Sequence, residues 1–181
     1  ADVVAGAALV FESLGHSVEL VKGGPPELGR DWGMANVFEL AARLGHMLPE
    51  HEHRFGRTFL AGMKQGWSMT PERWAAAQRR RAELNVWCAE TFARYDLLLT
   101  PTTPYDPPPA RGPFPTEIEG QKLPETSVAS FTIPFNLSWH PAATVRAGFS
   151  KAKLPVGLQI VGPRHRDDLV MQAAWAFEQA R

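Results

Sequence analysis

Apolar residues recur at helical spacing from the first positions of the chain. Between Asp2 and Leu14 they fall at Val3, Ala7, Val10 and Leu14, with Val4, Ala8 and Phe11 beside them. Gly15 ends this predicted helix, where a left-handed residue is easiest for glycine. Ser17 to Val21 then alternates, which predicts a short strand, and Gly23-Gly24-Pro25-Pro26 breaks it. Helix, glycine and strand in that order form the return half of a βαβ unit, which places an earlier strand upstream of Ala1. The opening Ala-Asp-Val-Val, without Met and already inside a helical pattern, reads as a cut chain.

Two further helices are predicted over Trp32–Leu44 and Glu52–Met63, separated by Pro49. The clearest helix starts at Thr70, a good N-cap, with Pro71 at its first position and Glu72 matching the positive helix end. Trp74, Ala77, Leu84, Cys88, Phe92 and Tyr95 form its buried stripe; Arg79, Arg80 and Arg81 interrupt the stripe and read as a solvated face. Asp96 to Thr100 is a short apolar run, predicted as a buried, parallel strand. Seven prolines between Pro101 and Pro115 exclude helix or inner strand and predict a long ordered loop of the kind that lines sites. Strands follow over Ala143–Arg146 and Pro155–Val161, with turns at Gly148 and around Ser150–Lys153. Asp167 is the expected cap of a last helix with Leu169, Val170, Ala173, Ala174 and Phe177 inward. Without repeats or a domain boundary in the pattern, residues 1–181 are expected to form a single α/β unit.

Composition narrows the function classes. Net charge is zero, which removes any general pull toward nucleic acid or an anionic membrane. The single cysteine, Cys88, excludes an internal disulfide framework and fits a cytoplasmic setting. No apolar run suits a spanning helix, and no signal peptide is visible.

The usual catalytic motifs fail one by one. Ser150 follows Gly148, but Ala152 stands where a nucleophile elbow needs its second glycine. No phosphate-binding glycine loop occurs, so no nucleotide cofactor is expected. His46, His51 and His53 lie near Glu50 and Glu52, but His51 and His53 would splay by about 200° on a helix, against a metal site. Cys88 falls on an apolar stripe and reads as a buried structural thiol. Ser138 and His140, two apart, could share one side of an extended segment, although a triad needs distant residues and an oxyanion hole as well.

Two stretches carry a more specific message: YDLLLTPTTP at 95–104, and FTIPFNLSWHPAA at 131–143 followed by LPVGLQIVGP at 154–163. In order and spacing they resemble the carboxyl-terminal half of the amidase-signature family. The resemblance implies an α/β fold with a mixed sheet flanked by helices. It also implies carboxamide hydrolysis by a serine, a second serine on a cis peptide and a neutral lysine, with a glycine- and serine-rich oxyanion loop. The family places all of these upstream, so no catalytic residue, metal or cofactor is expected within this chain. Lys22 is the one decoy, and no Gly/Ser-rich run follows it.

What remains is scaffold and pocket wall, for which the resemblance nominates Pro104, Tyr105, Phe135, Asn136, Trp139 and His140. Trp139 stands where a glycine is common and Arg146 where a proline is. Ala129 replaces an acidic residue found in members that supply ammonia for transfer-RNA amidation, which disfavours a glutamine-specific role of that kind. Trp139, Phe131 and Phe135 would suit an apolar or aromatic amide. The implied partners are a small-molecule amide and the amino-terminal half of the same protein, with a homodimer open and neither nucleic acid nor membrane involved. A non-catalytic binding or scaffolding module built on the same fold is the rival.

Overall fold

Alternation along residues 142–161 shapes the larger part of the chain. The computed structural model describes residues 2–28, 31–118, 120–123 and 127–180, so Ala1 lies outside the described residues. The helices are α1 (Asp2–Ala8), α2 (Val10–Ser13), α3 (Asp31–Leu44), α4 (Leu48–His51), α5 (Arg57–Gly66), α6 (Pro71–Phe92), α7 (Ile133–Ser138) and α8 (Asp167–Gln179). The strands are β1 (Leu98–Pro101), β2 (Glu117–Ile118), β3 (Gln121–Lys122), β4 (Ala142–Phe149) and β5 (Pro155–Val161). They group into two compact units, Ala1–Gly24 with Cys88–Arg181, and Pro25–Trp87.

In the first unit the sheet order is β1-β5-β4, antiparallel throughout. Val145 and Ala147 on β4, with Leu158 and Ile160 on β5, point into one core. That core is closed by Val4, Ala7 and Phe11 and by Val170, Ala173, Ala174 and Phe177 of α8. Phe11 and Phe177 stack with ring centroids 5.7 Å apart. Each fully buried aliphatic side chain of this set contributes about 1.5–3 kcal/mol. The fold is α/β, as the sequence suggests.

Several local expectations are corrected. The run around Leu98 is antiparallel to β5, not parallel, because an apolar run reports burial and not strand direction. Ser17–Val21 makes no ladder: Val18 packs on the core, but Leu20 is 93% exposed. Gly148 is no turn; it lies inside β4 beside a bulge, where the register steps from Arg146↔Gly157 to Gly148↔Val156. The reversal is at Ser150–Leu154, where the Ser150 amide donates to the Leu154 carbonyl at 2.8 Å. Asp167 opens α8 rather than capping it, and the cap residue is Arg166, whose guanidinium grips Asp168 through two bonds of 2.9 and 3.1 Å.

In the second unit, α3 and α5 pack closely because Gly66 has no side chain. A Cβ there would collide with the Val37 carbonyl and sit 2.8 Å from the Phe38 amide. Ala41, Leu48 and Met63 form the core of this contact. The helix expected from Glu52 begins only at Arg57, since Phe55 and Gly56 are extended (ψ 138° and 143°). Pro49 sits in the first turn of α4, where its missing amide costs nothing, and so does not separate helices. Thr70 caps α6 as expected, its hydroxyl accepting from the Arg73 amide at 3.3 Å. Arg80 donates to the Glu27 carbonyl at 3.1 Å. No helix of the described residues is long and apolar enough to cross a membrane.

Candidate functional site

Helix α7 is short because the chain leaves it through a left-handed residue. Trp139 adopts φ 57° and ψ 39°, and its amide donates to the Phe135 carbonyl. The His140 amide donates to the same carbonyl at 3.1 Å. This is the usual way to satisfy the last carbonyls of a helix, and glycine normally fills the left-handed position. An L side chain there costs about 1–2 kcal/mol. Trp139 holds this conformation while 70% exposed.

The other nominated residues divide by environment. Asn136 is exposed, and its side-chain amide donates back to the Thr132 carbonyl at 2.9 Å. Phe135 is 3% exposed and fills core rather than lining open space. His140 is half-buried and turned inward, stacked on Phe92 at 5.0 Å. Pro104 and Tyr105 are half-buried on the loop after β1, where the Thr103 hydroxyl donates to the Tyr105 carbonyl at 3.2 Å. The structure thus gathers Phe135, Asn136, Trp139 and His140 on α7 and its exit, while Pro104 and Tyr105 belong to a separate loop.

Ser138 and His140 do meet, through the turn and not along an extended segment. Ser138 Oγ and His140 Nδ1 share a hydrogen bond of 2.8 Å, yet Ser138 is 0% exposed and unavailable to a substrate. The Arg164 Nε donates to the Ser138 carbonyl at 2.6 Å. Burial, then the Arg164 charge, hold His140 below the usual imidazole range, although a hydrogen bond to the Ser138 backbone acts the other way. A cation beside a neutral imidazole is the opposite of a triad's carboxylate. Cys88 is fully buried and hydrogen-bonds Ser138; burial raises its thiol pKa, which makes it a poor nucleophile.

Sequence reasoning named Gln159 only as part of a motif. It is a buried polar residue, 3% exposed, whose amide donates to Thr100 Oγ1 at 2.8 Å and to the Phe131 carbonyl at 2.9 Å. It therefore ties the strand leading into the proline-rich loop to the segment leading into α7. Two residues earlier, Gly157 lies between strands β1 and β4. A Cβ there would stand 2.6 Å from Thr102 Oγ1 and 2.8 Å from Thr144 Cγ2, whose hydroxyls meet at 3.2 Å. The Leu-Pro-Val-Gly-Leu-Gln block is thus a device for joining strands and loops. A glutamine on an otherwise apolar strand was the signal available for it.

The amidase family model matches residues 35–171. The chain is 42% identical over 88 residues to an acylamidase of Rhodococcus erythropolis, covering 48% of this chain and 18% of that protein. It is 36% identical over 101 residues to a glutamyl-tRNA(Gln) amidotransferase chain of Alkaliphilus metalliredigens, covering 55% and 19%. A bacterial aryl acylamidase of the amidase-signature family superposes with a TM-score of 0.83 at 28% identity, over 99% of this chain and 39% of that one. The chain therefore spans about a fifth of these curated relatives and two fifths of the solved enzyme. The family model spans β1, the α7 turn and the β5 block together, and this chain belongs to the amidase family.

Proposed function

We propose that this chain is the scaffold and pocket-wall portion of a cytoplasmic enzyme that hydrolyses the C–N bond of a small carboxamide. Residues 1–181 form part of one amidase domain in this reading. The serine, cis-peptide serine and lysine that carry out acyl transfer lie outside these residues, in an amino-terminal portion with which the chain acts. The sheet positions that portion; Pro104, Tyr105, Asn136, Trp139 and His140 contribute to the wall around the acyl group, and Phe135 backs that wall from the core.

One observation carries the division of labour. The serine–histidine pair the sequence nominated is not set out for acyl transfer: Ser138 is fully buried, and half-buried His140 feels the Arg164 cation. A nucleophile must meet its substrate while within hydrogen-bond reach of its base, and a fully buried serine does not. The rival non-catalytic module shares the scaffold but not the activity. Turnover of simple amides and anilides separates the two: the enzyme containing the upstream serines and lysine is active, and the 181 residues alone are inactive. Amide hydrolysis by the 181 residues that is lost in Ser138→Ala or His140→Ala would overturn the proposal.

A further inference from the structure

Between the end of α2 and Gly23 the chain does something that a strand does, without a strand's partner. Residues His16 to Lys22 form no helix, turn or bend, so this stretch runs straight. It is held on the body of its unit: Val18 packs against the same core as Leu97 and Leu99, and the Tyr95 hydroxyl donates to the Glu19 carboxylate. Yet no backbone amide or carbonyl from Ser17 to Lys22 has a backbone partner among the described residues. Leu20, on the same side as Val18 in a straight chain, is left 93% exposed.

Strand β1 presents a second unpaired edge. The Thr102 amide donates to the Gly157 carbonyl at 3.1 Å. By antiparallel alternation Thr100 and Leu98 also face β5, and the Leu99 amide and carbonyl turn away from it. Pro101, the next outward position, has no donor and ends any pairing there. Helix α1 meanwhile packs on β4 and β5 and leads through Gly15 into the straight segment. A helix on a sheet face followed by an extended segment completes a right-handed crossover, whose first strand runs parallel to that segment in the same sheet.

We infer that one further strand inserts between β1 and Ser17–Val21, parallel to Ser17–Val21 and hydrogen-bonded to both, and that the amino-terminal portion of the enzyme supplies it. Its inward side chains are apolar, because they extend the core that Val18, Leu97 and Leu99 already border. This chain matches two fifths of the solved aryl acylamidase, so most of such an enzyme lies outside these residues and can provide the strand. Strand addition of this kind draws affinity from main-chain bonds and register from alternate side chains. The source of the strand, though not the pairing itself, rests on the amidase reading above.

The test is hydrogen–deuterium exchange, read by mass spectrometry, on the enzyme that contains this chain. Amides of Ser17–Val21 should exchange at least about a hundredfold more slowly than those of Lys151–Lys153 at the exposed hairpin tip. Resolved to single amides, slow and fast positions should alternate along Ser17–Val21, since it pairs on one side, and the Leu99 amide should be as slow as that of Thr100. Exchange as fast as at the tip, or a fast Leu99 amide, would overturn the inference. Slow exchange that disappears on dilution, as a dimer dissociates in light scattering, would give the edge to a second copy and overturn it equally. Amide turnover on the same sample keeps the two readings apart. Fast exchange in an active enzyme removes the strand and leaves the amidase reading; slow, alternating exchange without turnover supports the strand and removes the amidase reading.

Discussion

The middle of β5 and the exit of α7 both present backbone positions that call for glycine, and the chain answers them differently. At Gly157 the demand is steric, since side chains from both neighbouring strands occupy the space a Cβ would need. The sequence complies. At Trp139 the demand is conformational, and the sequence defies it with the bulkiest side chain available. At the first, local choice and global fold agree; at the second, the residue conflicts with the backbone conformation it must adopt. The second position carries a ring of supporting contacts that the first does not need.

The contrast can be broken most forcefully at the sheet. Gly157→Ala should lower the unfolding free energy by about 2–3 kcal/mol in denaturant titration, since neither threonine is a flexible chain end. Adding Thr102→Ala should recover much of that loss; no recovery would mean the crowding lies elsewhere. Gln159→Leu should cost about 2 kcal/mol by leaving the Thr100 hydroxyl and the Phe131 carbonyl without their donor. A neutral result there would show that β5 does not stitch the two segments together.

Trp139→Gly should have the opposite sign. Relief of about 1–2 kcal/mol of left-handed strain, less the roughly 0.5–1 kcal/mol that glycine loses in chain entropy, leaves a gain of about 0–1.5 kcal/mol. A destabilised variant would sink the view that the turn is strained. The smallest effect is one of pH. His140 is held below its unfolded value, so the unfolded chain takes up the proton first. This residue's contribution is full above the ordinary imidazole value, about 6.5, and is lost as pH falls toward the depressed one. His140→Asn should flatten that part of the stability–pH curve, and an unchanged slope would remove His140 as its source.

Much of the scaffold was legible because it obeys local rules. The α6 cap at Thr70, the α8 stripe and the β4–β5 hairpin follow from propensity and period. Strand direction was not legible, because an apolar run such as 96–100 looks the same either way. Nor was the fate of Ser17–Val21, whose alternation specifies a face but cannot supply a neighbour. At the α7 exit, pattern alone offered a serine and a histidine two apart. Only the turn between them reveals that they bond across Trp139, and that Arg164, 26 residues from Ser138, completes the ring.

Cys88 gives that ring a clock. It is the only thiol in the chain, it is fully buried, and it bonds the same Ser138 hydroxyl that closes the turn. A labelling reagent can reach it only in molecules whose α6–α7 packing has momentarily opened. The rate of alkylation under native conditions therefore reports how often the ring around Trp139 comes apart. With a single reactive atom, opening of this one corner can be timed without any probe being introduced.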